Sequence, residues 1–361
     1  MFLKRRSISN IYILLFLLGC CHNTGVAQNL ISVNGALFGR PIETKVDHKL
    51  AKAMLTNPDD SSVLQLFSDY RTHELNTETL SEIAQKYSTD VSILFFVERL
   101  YEQEKNKQAQ DYYLSMISEN MEQKLSLLQD YYIVFVPGFR YKHAVNGSDF
   151  LSQRHFLDSI GMAYEMIETQ EIGLAEDNAG IIIDRLRELN KRHSNIIVIS
   201  VSKGSLDAAV AFGTLSNIEE ISSVKAWINV CGILKGTPVA DTWIQPFRRW
   251  WLSRGLFLIG ERGINVKGVL TGMSYNRCKE EYKALKIPTE ILTVSLTAVP
   301  LGKQGKKRKI PVPNDGFSPL ADSIIEDGVV VIEVGLDHYF RGVDLNNRMI
   351  TLLCYIVNQL N

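Results

Sequence analysis

From Tyr131 onward the chain alternates short apolar runs with amphipathic helical stretches, and nothing else in it restricts the fold as strongly. The runs are Tyr132 to Val136, Ala163 to Ile167, Asn195 to Val201, Val224 to Val230, Glu290 to Leu296 and Val329 to Val334. Runs that are apolar throughout, rather than at every second residue, suit strands covered on both faces. Between them Ala179, Ile182, Ile183, Leu186 and Leu189 mark one side of a helix with its expected cap at Asp177; Leu206, Ala209 and Val210 mark another. Such alternation implies right-handed crossovers and a mostly parallel sheet flanked by helices. The fold class is α/β.

Two segments depart from this texture. Residues 44–129 contain one Pro and no Gly and read as an N-terminal helical region of four to six helices, with an expected cap at Asp90. The pair around Tyr101 and Tyr112 faintly suggests a helical hairpin of the tetratricopeptide type, but no fixed period supports an array. Residues 232–288 interrupt the alternation with Trp243, Phe247, Trp250, Trp251 and Phe257 and read as an insertion over the sheet's end.

The first residues stand apart from the fold. Lys4, Arg5 and Arg6 precede an apolar stretch from Ile11 to Leu18, the pattern of an export signal too short to span a bilayer. Leu17-Leu18-Gly19-Cys20 predicts acylation at Cys20 and a lipoprotein of the bacterial cell envelope; Gly25-Val26-Ala27 predicts cleavage after Ala27 and a periplasmic or secreted protein. Residues 130–361 then form the main domain. With 39 Lys+Arg against 40 Asp+Glu, the chain lacks the basic excess of a nucleic-acid binder. Cys231, Cys278 and Cys354 have no C-x-x-C spacing, which argues against a metal site or a disulfide framework. Cys231 and Cys354 are expected in the core.

The most informative stretch is Asn195 to Gly204, an apolar strand running straight into a helix through a tight turn at Ser202. Such an elbow lifts one side chain out at the carboxyl end of a sheet, where ligands of open α/β sheets bind. Small residues must flank it, here Ser200 and Gly204; Ser200 stands where Gly is usual. A serine hydroxyl needs a base to take its proton, and the base needs a carboxylate to hold its tautomer. His338 is the one histidine after Ser202 and follows the last strand. Asp315, in Pro313-Asn314-Asp315-Gly316, is the preferred carboxylate, with Asp241, Asp322 and Asp327 as alternatives and Asp337 disfavoured by its adjacency to His338. An oxyanion needs two backbone N–H donors. Lys203 follows the nucleophile, and Phe139 follows Pro137-Gly138 at the end of the first core strand.

With Pro137-Gly138-Phe139, the elbow, Asn314-Asp315-Gly316 and Leu336-Asp337-His338 in this order, residues from about 130 to 361 resemble the α/β-hydrolase superfamily, especially its lipase and carboxylesterase-like members. The resemblance implies Ser202 as nucleophile, Asp315 as acid, His338 as general base, Phe139 and Lys203 as oxyanion donors, and no cofactor. It implies that residues 232–288 form a cap over an acyl pocket; the aromatic side chains there beside Arg248, Arg249 and Arg254 would suit a lipid interface, or would pack within the cap's own core. The basic run Gly302 to Lys309 would steer anionic substrate or lipid, or be a solvated loop. The expected activity is hydrolysis of a small-molecule or lipid ester through an acyl-enzyme. Thioesterase, amidase or acyltransferase chemistry uses the same parts, and a non-catalytic exported binding protein is the alternative from another class.

Overall fold

The computed structural model describes residues 30–143, 147–258, 265–302 and 312–361. Cys20, the export signal and basic positions 303–309 lie outside the described residues, as do the side chains of residues 256–258.

The chain opens with an antiparallel hairpin, β1 (Ile31–Leu37) and β2 (Arg40–Val46), turned at Phe38 and Gly39, both with positive φ. The helical reading from residue 44 is therefore corrected: Thr44 to Val46 finish a strand, and the helices begin later. They are α1 (Lys49–Thr56), α2 (Ser61–Asp69), α3 (Thr77–Lys86), α4 (Thr89–Tyr101), α5 (Glu104–Met116) and α6 (Met121–Ser126). The cap of α4 is Ser88, whose hydroxyl accepts the Val91 N–H; Asp90 sits inside the first turn, buried, and accepts instead from Asp47 N and Gly302 N.

Then come β3 (Tyr132–Val136), α7 (Leu151–Ser159), β4 (Tyr164–Met166), α8 (Ala175–Asn190), β5 (Ile196–Val201), α9 (Lys203–Gly213) and β6 (Val224–Val230). The insertion holds α10 (Pro238–Ile244), α11 (Pro246–Leu258), α12 (Val266–Gly272) and α13 (Tyr275–Glu281), followed by β7 (Leu292–Val299), β8 (Val329–Val334) and α14 (Leu345–Leu360). The cap of α8 is Leu174, without a side-chain bond, and Asp177 lies in the first turn, where a carboxylate suits the helix dipole. The helical stretch expected from Pro319 is only a 3-10 turn, Leu320–Asp322.

Six strands form one parallel sheet in the order β4-β3-β5-β6-β7-β8. The sheet is parallel and flanked by helices on both faces, the α/β class expected from the sequence. Successive residues of each central strand feed opposite faces, as the pleat requires. Val134, Val136, Ile196 and Val198 pack with α8, α9 and the insertion, while Ile133, Phe135, Ile197 and Ile199 pack with α5, α7 and α14. A third cluster joins the hairpin and α1 to α4 to the sheet's far edge through Val330 and Ile332.

At that edge β8 pairs with β7 on one side only among the described residues, and α5 takes the place of a second neighbour. Asn106 Oδ1 accepts the Val330 N–H at 2.8 Å; Gln110 accepts from Ile332 N at 2.8 Å and donates to Ile332 O at 3.1 Å. One turn on, the Tyr113 hydroxyl donates to Glu333, which also holds Arg348 of α14. An open sheet edge exposes unpaired N–H and C=O groups that invite association, and this helix satisfies three of them with its amide side chains.

Candidate active site

The turn between β5 and α9 places Ser202 at φ 53° and ψ −118°, a conformation that costs energy in a residue with a Cβ and is held only by its surroundings. Its own N–H donates to Val230 O, and its carbonyl accepts from Ser205 N and Ile233 N. Gly204 is required by contact rather than by torsion. A Cβ there would lie 2.3 Å from Pro137 O and 2.5 Å from Val136 O, so the loop after β3 lies against the elbow. Ser200 is accommodated because its hydroxyl is fully engaged. It accepts from the indole N–H of Trp227 at 2.7 Å and bonds Ser205 Oγ at 2.8 Å, with all three side chains buried.

Three of the side chains singled out in the sequence meet here. His338 Nε2 is 3.0 Å from Ser202 Oγ, and His338 Nδ1 is 2.7 Å from Asp315 Oδ2. Asp315 is wholly buried, and its other oxygen accepts from Phe317 N and Ser318 N, each at 2.8 Å. Burial would raise this carboxyl, but His338 and the two N–H groups outweigh it and hold it below its ordinary value. His338 N also donates to Asp315 O, so backbone and side chain tie the two loops together. The alternative carboxylates are engaged elsewhere: Asp241 with Ser274 and Asn276, Asp322 with Thr77, Tyr275 and Lys235, and Asp337 with Tyr339 and Arg341. Asp327 sits at the turn before β8, where its carbonyl accepts from Lys105.

The two expected oxyanion donors face different constraints. Gly138 N donates to Ser148 O and Arg140 N to Glu171 O, whereas Phe139 N between them has no protein acceptor among the described residues. Lys203 is the first residue of α9, a position at which a helix leaves its N–H unpaired. Its side chain is buried and bonds both oxygens of Asp207 at 2.8 Å. Asn178 donates to Asp207 and ties this pair to Gln170. Burial raises Asp207 to about 6 although Lys203 and Asn178 pull it down. The sequence reading missed this clamp; Lys and Asp at i, i+4 were its only signal.

Cys231 Sγ lies within 4.8 Å of donor atoms of Asp315 and His338. Burial pushes its thiol well above the usual value and Sγ accepts from Ala298 N, so it carries a proton and is a poor metal ligand. Both nitrogens of His338 are already occupied by Asp315 and Ser202. The insertion borders the acid loop through Thr237, whose hydroxyl donates to Phe317 O at 2.5 Å. Phe317 itself packs on the imidazole of His338, with ring centres 4.7 Å apart.

No protein-family model matches the chain, and no curated protein does. Among solved structures it is similar to a metagenomic carboxyl esterase (TM-score 0.49, 19% identity, covering 64% of this chain and 77% of that one). It is also similar to a Bacillus licheniformis lipase in its mature form (TM-score 0.48, 16% identity, 63% and 91%). A third is a Legionella pneumophila phospholipase (TM-score 0.36, 12% identity, 54% and 45%).

Proposed function

We propose that the chain is an exported serine hydrolase that cleaves carboxylic esters through an acyl-enzyme. The observation that carries this reading is the unbroken hydrogen-bonded chain from Ser202 Oγ through His338 to a buried, ionised Asp315, set at the carboxyl end of the sheet.

In this reading His338 Nε2 takes the proton of Ser202 Oγ as the oxygen attacks the ester carbonyl. Asp315 holds the Nδ1 proton and stabilises the imidazolium, itself kept ionised by Phe317 N and Ser318 N. The tetrahedral oxyanion is received by the N–H groups of Phe139 and Lys203, each worth a few kcal/mol in such sites. Collapse expels the alcohol with the proton from His338, leaving an acyl group on Ser202. A water activated by the same histidine then releases the acid.

Fluorophosphonate labelling read by intact mass tests the assignment. The wild-type protein should take one adduct and Ser202→Ala none, with ester turnover falling by a factor on the order of 10³ or more in the mutant. A folded wild type that takes no adduct overturns it.

A further inference from the structure

Helix α11 carries a surface that neither the sheet nor the proposed chemistry uses. Phe247, Trp250, Trp251 and Arg254 recur at i, i+3, i+4 and i+7 and so share one side of the helix. Phe247 is 73% exposed, Trp250 49% and Trp251 46%, three of the largest exposed apolar side chains among the described residues. Their ring contacts are with each other: Phe247 with Trp251 at 6.3 Å and Trp250 with Trp251 at 5.0 Å, with the Arg254 guanidinium over Trp250 at 4.9 Å. Leu252, with Trp243 and Ile244 before the helix, packs on the core from the other side. Between Pro246 and Leu258 there are three arginines and no acid.

From this arrangement we infer that α11 docks on the surface of an anionic phospholipid bilayer, its aromatic stripe entering the headgroup boundary and Arg248 and Arg254 meeting lipid phosphates, while Arg249 lies on the opposite side of the helix and donates to Ile244 O. Large aromatic rings beside cations suit that boundary, where one end of each side chain is apolar and the other hydrated. Guanidinium groups pair with phosphate in a fork geometry. The charge is local: the whole chain has 39 basic against 40 acidic residues, so no overall field draws it to an anionic membrane, and the attraction belongs to this helix. The convex stripe offers no groove for a peptide, and its unopposed cations disfavour pairing with a second copy of itself.

Tryptophan fluorescence of the full chain tests this, with vesicles of phosphatidylcholine alone or with one third phosphatidylglycerol, both with brominated acyl chains. Anionic vesicles should quench the wild type and Ser202→Ala alike, so the result stands apart from the proposed chemistry. Trp250→Phe/Trp251→Phe should lose the quenching, leaving the signal of Trp227 and Trp243. Arg248→Glu/Arg254→Glu should weaken partitioning about tenfold or more, with the melting temperature unchanged because both side chains are exposed. Equal quenching by neutral vesicles overturns the inference. So does flotation with unquenched Trp250 and Trp251, which would place the attachment in residues 1–27. A concentration-dependent dimer lost in Phe247→Ser/Trp250→Ser/Trp251→Ser, without vesicle binding, also overturns it and assigns the stripe to a second copy.

Discussion

Polar side chains in two regions of this molecule do opposite things with buried hydrogen-bonding capacity. Along the seam between α5 and β8, Asn106 and Gln110 pair the Val330 N–H and both main-chain groups of Ile332. At the elbow the pairing stops short: Ser202, His338 and Asp315 are linked in a line, but the N–H groups of Phe139 and Lys203 stay uncommitted among the described residues, and Ser202 sits in a strained conformation. A paired group contributes stability, whereas an unpaired and oriented one is available to a substrate. The seam is therefore expected to govern stability without touching turnover, and the elbow the reverse.

That contrast is sharpest at Asp315. Asp315→Asn cannot hold the Nδ1 proton of His338 in the same tautomer, so ester turnover should fall by a factor on the order of 10⁴, measured as kcat with KM little changed. The seam should respond through folding instead. Asn106→Leu/Gln110→Leu strands two buried N–H groups and one carbonyl of β8, at a cost of about 3 to 5 kcal/mol in chemical denaturation, while kcat of the folded protein stays within about twofold. A large fall in kcat there would break the division.

Ser200 lies between the two regimes. Ser200→Gly restores the residue usual at an elbow yet leaves the Trp227 indole N–H unpaired, so stability should drop by about 1 to 2 kcal/mol with turnover retained. The smallest effect is the one left above pH 7 at Asp90, a tie between the helical region, Asp47 and Gly302. Burial and the neighbouring Asp47 raise its carboxyl to about 7. Folded, it keeps a proton that the unfolded chain has already released, so its contribution to stability is lost as pH rises from the ordinary carboxylate range through 7. Between pH 7 and 8 only a few tenths of a kcal/mol remain to be lost. Thermal midpoints at pH 5, 7 and 8 should show a decline in the wild type that Asp90→Asn flattens.

The sheet was legible in the sequence because strands covered on both faces are apolar throughout, and all six core strands lie within or near the apolar runs. The meeting of Ser202 with His338 was legible from chain order and local turns, although 136 positions separate them. What escaped depends on partners distant in sequence. The hairpin Ile31 to Val46 has a mixed pattern whose buried side, Val33, Leu37 and Val46, gains its meaning only from α1. Asp90 has the chemistry of a cap, but tertiary bonds took it and Ser88 did the capping. Asn106, Gln110 and Tyr113 form an i, i+4, i+7 stripe that looks like an ordinary hydrated helix face until β8 is placed beside it.

The seam also dictates an order of events. Gln110 and Ile332 are 222 positions apart, and Lys124 reaches Asn347 across 223. During synthesis from the amino end, α5 and α6 emerge long before the strand and helix they serve. Until then their amides and the Lys124 ammonium must be kept in water. Closing the edge is thus a late, long-range step, and a chain halted before Val329 would present β7 as a bare rim open to pairing with its neighbours.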